Sequence, residues 1–220
     1  QPKYSFDPQT EASPDPENKR EVFAGTVSFE SWSTIWPARE IGIDECFTGN
    51  AEALELLFHG LFDRPATLQI QVISQVLSGL GGIGKTELAK EHARQHRRKY
   101  PGGVLWVDAD KETTLTDSFR AIASMLHSTH LSLPWLDPDE QDSGKIIGAV
   151  QRWLQENHDW LLILDNADDL AVLQRMDAMP PGHSQGHVLI TSRASLSAVR
   201  PTEQEAVRAL GLSPAHALIL

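Results

Sequence analysis

Gly79-Leu80-Gly81-Gly82-Ile83-Gly84-Lys85-Thr86 is the stretch that decides how the rest of the chain is read. It fits the pattern G-x-x-x-x-G-K-[ST]. The apolar-rich stretch from Gln71 to Ser78 precedes it, and helix-compatible Thr86-Glu87-Leu88-Ala89-Lys90-Glu91-His92-Ala93 follows. Strand, glycine loop and helix in that order suit one task. Backbone N–H groups wrap a polyphosphate only where side chains are absent, and the following helix points its positive dipole end at the anion. In such a loop Lys85 reaches the β- and γ-phosphates and Thr86 supplies a hydroxyl to Mg²⁺. The residues expected to hold the phosphates are Gly79, Gly81, Gly82, Ile83, Gly84, Lys85, Thr86 and Glu87. A glycine-rich turn between any strand and any helix is the plainer alternative, and the lysine, the hydroxyl and the flanking context argue against it.

The second half of a nucleotide site stands at the end of another apolar run, Trp160-Leu161-Leu162-Ile163-Leu164-Asp165. Mg²⁺ prefers hard oxygen ligands and keeps several waters, so one carboxylate at a strand's C-terminal edge, facing the phosphate loop, holds it together with Thr86. A buried strand ending in aspartate is common; its pairing with Gly79 to Thr86 is what makes the signal specific. Asp168 and Asp169 follow on the same turn. Either can polarise an attacking water as a general base, or both can cap the short helix that comes next. A last strand, His187-Val188-Leu189-Ile190-Thr191, closes with Ser192-Arg193. An always-charged planar guanidinium in that place can contact a γ-phosphate and report its presence, against the plainer reading of a surface arginine after a strand.

The chain of 220 residues is long enough to bury a sizeable core, and its 40% hydrophobic and 22% charged residues are ordinary for a globular protein. No apolar run approaches the roughly 20 residues that span a bilayer, so a membrane protein is not expected and a cytoplasmic location is. The single Cys46 cannot form an internal disulfide, which suits a reducing compartment; it reads as a small hydrophobe rather than a nucleophile. A net charge of −11 argues against broad binding to nucleic acid or to anionic membrane. The chain opens at Gln1 without an initiator methionine and ends on apolar Ala217-Leu218-Ile219-Leu220, so a piece of a longer protein is expected.

Residues 1–45 divide into a proline-bearing polar stretch that cannot bury enough to order itself, and a segment with Phe29, Trp32 and Trp36 that reads as a strap against the core or a docking segment. The nucleotide-binding domain is placed at 46–211. Leu54, Leu57, Phe58 and Leu61 predict an amphipathic helix that Pro65 ends. The basic residues Arg94, Arg97, Arg98 and Lys99 read as a solvated helix end rather than a nucleic-acid patch. Val104-Leu105-Trp106-Val107 predicts a buried strand, and Asp108 or Asp110 a cap for the helix bearing Leu115, Phe119, Ile122, Ala123 and Leu126. The loop from His127 to Ser143 is pinned by Trp135; His127 and His130 have metal-like spacing but no nearby partner to complete a site. Ile146, Ile147, Val150, Trp153 and Leu154 form the next stripe. Glu205 to Leu210 reads as a further short strand and Ser213 as a helix cap. Apolar strands alternating with helices predict a three-layer α/β fold around a mostly parallel sheet.

The motifs at Gly79, Leu161 to Asp169 and Val188 to Arg193 resemble the Walker A, Walker B and sensor-1 motifs of the NB-ARC branch of the STAND signalling ATPases. Phe47-Thr48-Gly49-Asn50 is similar to the family's opening element, with Asn50 where arginine is usual, and Val104 to Asp110 to its second strand. The resemblance runs from about Cys46 to Leu220, and through Leu212-Ser213-Pro214-Ala215-His216-Ala217-Leu218 it implies the start of a helical subdomain at 212–220. It implies a P-loop NTPase fold and adenine-side contacts from Gly49 and Asn50. It implies an ATP/ADP switch with Mg²⁺, in which Lys85 and Asp165 serve the chemistry with Asp168 or Asp169, hydrolysis is slow, and self-association runs through the module or through C-terminal repeats. Asn166 stands where plant members often carry a second acid, and the family's remaining helical subdomain and winged helix lie beyond Leu220. An ordinary fast ATPase or kinase, and a relative acting only as an interaction domain, are the competing readings.

Overall fold

The computed structural model describes residues 51–63, 69–74, 84–128, 133, 136–137, 139–193 and 217–219. Expectations for 1–50, including Trp32, Trp36, Gly49 and Asn50, lie outside these residues, as do Gly79 to Ile83, His130, Trp135, the strand expected at 205–210 and the cap expected at Ser213.

Helix α1 (Ala51–Phe62) buries Ala53, Leu54, Leu57 and Leu61, one stripe at helical spacing. Strand β1 (Gln69–Ser74) precedes the phosphate loop, and helix α2 (Lys85–His96) leaves it, followed by a 3₁₀ turn at Arg97–Lys99. Then come β2 (Gly103–Asp108), α3 (Glu112–Ser128), α4 (Ser143–Glu156), β3 (His158–Asp165), α5 (Leu170–Arg175), β4 (Gln185–Thr191) and β5 (Ala217–Ile219). Helix α4 starts where the Asp142 side chain accepts the N–H of Lys145 at 2.9 Å. The expected cap of α3 takes another form. The Asp108 carboxylate accepts the N–H of Asp110, 3.2 Å away, and shapes the turn ahead of the helix, while the Thr114 hydroxyl ties the first turn back to the Asp108 carbonyl at 3.1 Å.

The described strands are all parallel, in the order β2-β3-β4-β1-β5. Side chains alternate between two cores. Val104, Leu161, Ile163 and Leu189 face α1 and α2. Leu105, Val107, Leu162, Leu164, Val188 and Ile190 face α3, α4 and α5. Burial on both faces is why the strands read as unbroken apolar runs, and the three-layer α/β expectation holds. Strands β3 and β4 pack so closely that a Cβ added at Gly186 would stand 2.3 Å from the Trp160 ring, whose Nε1 donates to the Leu154 carbonyl at 2.8 Å.

One expectation is corrected. A helix is expected to start at Ser213, and of that stretch the described part, Ala217–Ile219, is instead a strand paired in parallel with β1, Ile73 opposite Leu218. A serine followed by proline suggests a helix start locally. The edge of β1 supplies backbone partners for the apolar run Ala217–Ile219, and these outweigh the local helix signal.

A candidate phosphate site at the C-terminal ends of the strands

Strand order reverses beside β1: its sequence successor β2 lies three positions away, beyond β4 and β3. Ligands of open parallel sheets bind outside the C-terminal strand ends at such a reversal. Three sequence signals meet there. Gly84 adopts φ 76°, in the left-handed region that favours glycine, and among the described residues a Cβ added there would meet nothing within 4 Å. Its carbonyl accepts the Leu88 N–H at 2.6 Å, so α2 begins directly at the glycine. Lys85 and Thr86, the first residues of α2, are half-buried, and Lys85 has no ion-pair partner among the described residues. Glu87 is exposed and takes the Lys90 ammonium at 2.8 Å, a surface pair on the rim.

The Thr86 hydroxyl donates to the Asp165 carboxylate, 2.9 Å from Oδ1 and 3.2 Å from Oδ2. The loop's last residue and the β3 aspartate therefore meet across 79 positions of sequence. Adjacent ligands of an octahedral ion with 2.0–2.1 Å bonds stand about 2.9 Å apart. The hydroxyl and carboxylate oxygens thus fit two neighbouring positions on a hard cation such as Mg²⁺. Among the described residues no three His, Cys, Asp or Glu side chains gather as a metal cage. One hydroxyl beside one carboxylate is a donor set that suits Mg²⁺, which keeps waters and phosphate oxygens in its remaining positions.

Thr191 was not singled out from sequence, yet it is buried at the heart of the site. Its hydroxyl donates to Asp165 Oδ1 and accepts the Asn166 N–H at 3.0 Å. The signal that could have found it is its place as the last residue of the strand next to β3. Asn166 follows Asp165 at φ 60°, a conformation that Asn and Asp tolerate better than most residues. The backbone then reverses, held by Ala167 N–H to Thr191 O at 2.9 Å, and brings Asp168 back over the end of β4.

The two acids after Asp165 have different surroundings. Asp169 is the N-cap of α5, accepting the Ala171 N–H at 3.0 Å, and its side chain is 55% exposed. Asp168 accepts from the backbone N–H of Arg193 at 2.6 Å and from its Nε at 2.5 Å. A cleft of about 540 Å³ collects Gly84, Lys85, Thr86, Asp168, Thr191 and Arg193 on its wall, a volume suited to a small-molecule ligand. A second hollow of about 480 Å³ adjoins it along β2, sharing Thr86, Asp108 and Asn166. Asp108 stands opposite Asp165 in the β2–β3 register and was expected only as a helix cap.

Residues 60–220 match the model of the NB-ARC domain. The chain belongs to the NB-ARC family. It is accordingly a P-loop nucleotide-binding module. Regulatory protein AfsR of Streptomyces griseus is 32% identical over 145 residues, covering 62% of this chain and 13% of that protein. A nucleotide-binding leucine-rich repeat (NLR)-like protein of Hyaloscypha variabilis is 30% identical over 135 residues, covering 61% and 13%. The chain therefore spans less than a sixth of the length of either of these relatives. Among solved structures, the Aeropyrum pernix ORC2 protein in ADPNP–ADP complexes aligns with a TM-score of 0.49 at 19% identity, over 86% of this chain and 50% of that one.

Away from the cleft, the NB-ARC module's basic residues behave as a helix end. Arg94 pairs with Glu91 through Nε and Nη2 at 2.7 and 2.6 Å, and the Lys99 ammonium lies 5.2 Å from the Phe62 ring centre. No described helix is long and apolar enough to cross a membrane.

Proposed function

We propose that this NB-ARC module is the nucleotide switch of a STAND-type signalling protein, holding ADP in a closed state and ATP with Mg²⁺ in an open, self-associating one, with slow hydrolysis as the timer. Lys85 and the amides of the loop from Gly79 hold the phosphates. Thr86 and Asp165 hold Mg²⁺, which when bound neutralises charge on the β- and γ-phosphates. Arg193 reads the γ-phosphate, and the family resemblance assigns the adenine-side contacts to Gly49 and Asn50. Self-association runs through the module or through repeats C-terminal to it, with no membrane or nucleic acid as partner, and the lone Cys46 suits a cytoplasmic setting.

The observation that carries the switch reading is the state of the two candidate bases. Asp169 is engaged in capping α5 and Asp168 in binding Arg193. A fast hydrolase needs a carboxylate held ready beside its water, whereas here Asp169 is turned to the start of α5 and Asp168 is released only when its pair with Arg193 opens, which suits a site that keeps a state rather than turning over. The names of the relatives, a regulatory protein and an NLR-like protein, are in keeping with a signalling role.

Isothermal titration with ADP and with ATP–Mg²⁺ is expected to show binding of both, abolished by Lys85→Ala. Binding that survives this substitution points to an interaction domain indifferent to nucleotide. Steady-state turnover is expected far below the roughly 1 s⁻¹ at the lower end of ordinary enzymes; turnover above it establishes a conventional ATPase or kinase instead.

A further inference from the structure

We propose that Asp168 is an internal stand-in for the γ-phosphate: it holds Arg193 until a nucleoside triphosphate displaces it, and so sets how strongly the site prefers triphosphate to diphosphate. The proposal rests on the reading that nucleotide phosphates occupy the crevice at Lys85 and Thr86.

The contact is more than a surface pair. Asp168 accepts the Arg193 backbone N–H at 2.6 Å and its Nε at 2.5 Å, makes an ion pair with Nη2, and stands 3.4 Å from the Ser192 hydroxyl. The acid is the fixed partner. Its own N–H is bound to the Asn166 carbonyl at 2.8 Å, in a turn pinned to β4 through Thr191, and its side chain is 26% exposed against 71% for Arg193. A carboxylate on a pinned backbone therefore holds a more exposed guanidinium, and both line the same cleft as Lys85 and Thr86.

Carboxylate and phosphoryl oxygens present the same acceptors to the guanidinium fork, and one edge of the fork serves one of them at a time. A diphosphate leaves the pair undisturbed. A triphosphate gains Arg193 only by giving up the contact with Asp168, so its apparent affinity falls by the fraction of molecules in which Arg193 is held. Asp168 is thus a positioning residue acting through Arg193. This assignment differs from a general base, which would act on water, and from simple repulsion of the γ-phosphate, which would not involve the arginine.

The test measures dissociation constants of ADP and of a non-hydrolysable ATP analogue with Mg²⁺ for the wild-type chain and four variants. Asp168→Asn is expected to raise the preference for triphosphate by about three- to tenfold, in line with a charge-assisted pair at a partly exposed site. Asp168→Glu is expected to keep the wild-type ratio, and Arg193→Ala to lower it. On the Arg193→Ala background, adding Asp168→Asn is expected to move the ratio by less than about twofold, because nothing is left to release. An unchanged ratio in Asp168→Asn overturns the proposal. So does an equal gain with and without Arg193, which shows repulsion alone. If Asp168→Asn does not fold, as judged by its melting transition, Asp168→Ser carries the same comparison. A wild-type chain that binds neither nucleotide refutes the phosphate reading itself and the stand-in with it, a pattern distinct from normal binding with an insensitive ratio.

Discussion

Asp165 lies at the centre of the site, yet its carboxylate is aimed by neighbours on two other elements. Thr86 approaches from α2 and Thr191 from β4, and the latter hydroxyl also takes the Asn166 N–H. Groups that orient a metal-binding carboxylate commonly matter by tenfold or more in metal affinity. Thr191→Val keeps the shape of the side chain and removes both hydrogen bonds, leaving buried polar groups unpaired. A loss of about 1–2 kcal/mol in stability is expected, read as a lower urea midpoint at unchanged slope. The Mg²⁺-dependent part of ATP binding is expected to fall by about tenfold, with binding in EDTA changed much less. Equal losses with and without Mg²⁺ would assign Thr191 to packing alone.

At the opposite end of the sheet from the phosphates, elements are joined by a buried chain of hydrogen bonds. His92 Nε2 on α2 lies 3.2 Å from the Tyr100 hydroxyl, which lies 3.0 Å from His187 Nδ1 on β4. Phe62 of α1 sits edge-on to His187 at 4.6 Å and tilted against Tyr100 at 5.7 Å. Burial lowers the His92 pKa from 6.5 to about 3, helped by the neighbouring His96 and His187, and burial lowers that of His187 to about 4, against the opposing pull of Asp159. Both groups are neutral when folded, and both gain a proton on unfolding once the pH drops below their ordinary value of about 6.5. Their stabilising contribution is therefore complete above about pH 6.5 and is lost as the pH falls towards 4 and then 3. Two such protons correspond to a slope of up to roughly 2.7 kcal/mol per pH unit in that window. Urea unfolding of the wild type and of His92→Phe between pH 7.5 and 4.5 isolates the effect. The variant is expected to lose about half of the histidine slope, and parallel curves would show that His92 is not neutral in the folded state.

For the whole molecule, the parts legible in the sequence are those whose signal is local. The strands ending at Asp108, Asp165 and Thr191 read as apolar runs because both of their faces are covered, and helices α3 and α4 read as stripes because one of theirs is. The meeting of Lys85, Thr86, Asp165 and Arg193 at one crevice followed from placing each at a strand end or loop. Other pairings across long separations, which no motif announces, were not legible. Ala217–Ile219 joins β1 at the sheet edge, Thr191 turns to Asp165, and Asp168 faces Arg193 rather than α5, because each depends on strand order and on the left-handed turn at Asn166. That same distribution sets how a ligand acts on the fold. In the proposed binding mode, phosphates at the α2 N-terminus and a metal at the ends of β3 and β4 would tie together elements from both cores, so binding is expected to stabilise one cooperative unit and not a loop. A ligand at a hundred times its dissociation constant adds about 2.7 kcal/mol to a two-state fold, and in a chain of this size each kcal/mol raises the melting temperature by about 2–4 °C. ADP at that concentration is expected to raise the melting temperature by about 5–10 °C in a single transition, and Lys85→Ala at the same ADP concentration by less than about 1 °C. A split transition, with only one part moved by ADP, would show that the two faces of the sheet unfold separately and that the site belongs to one of them.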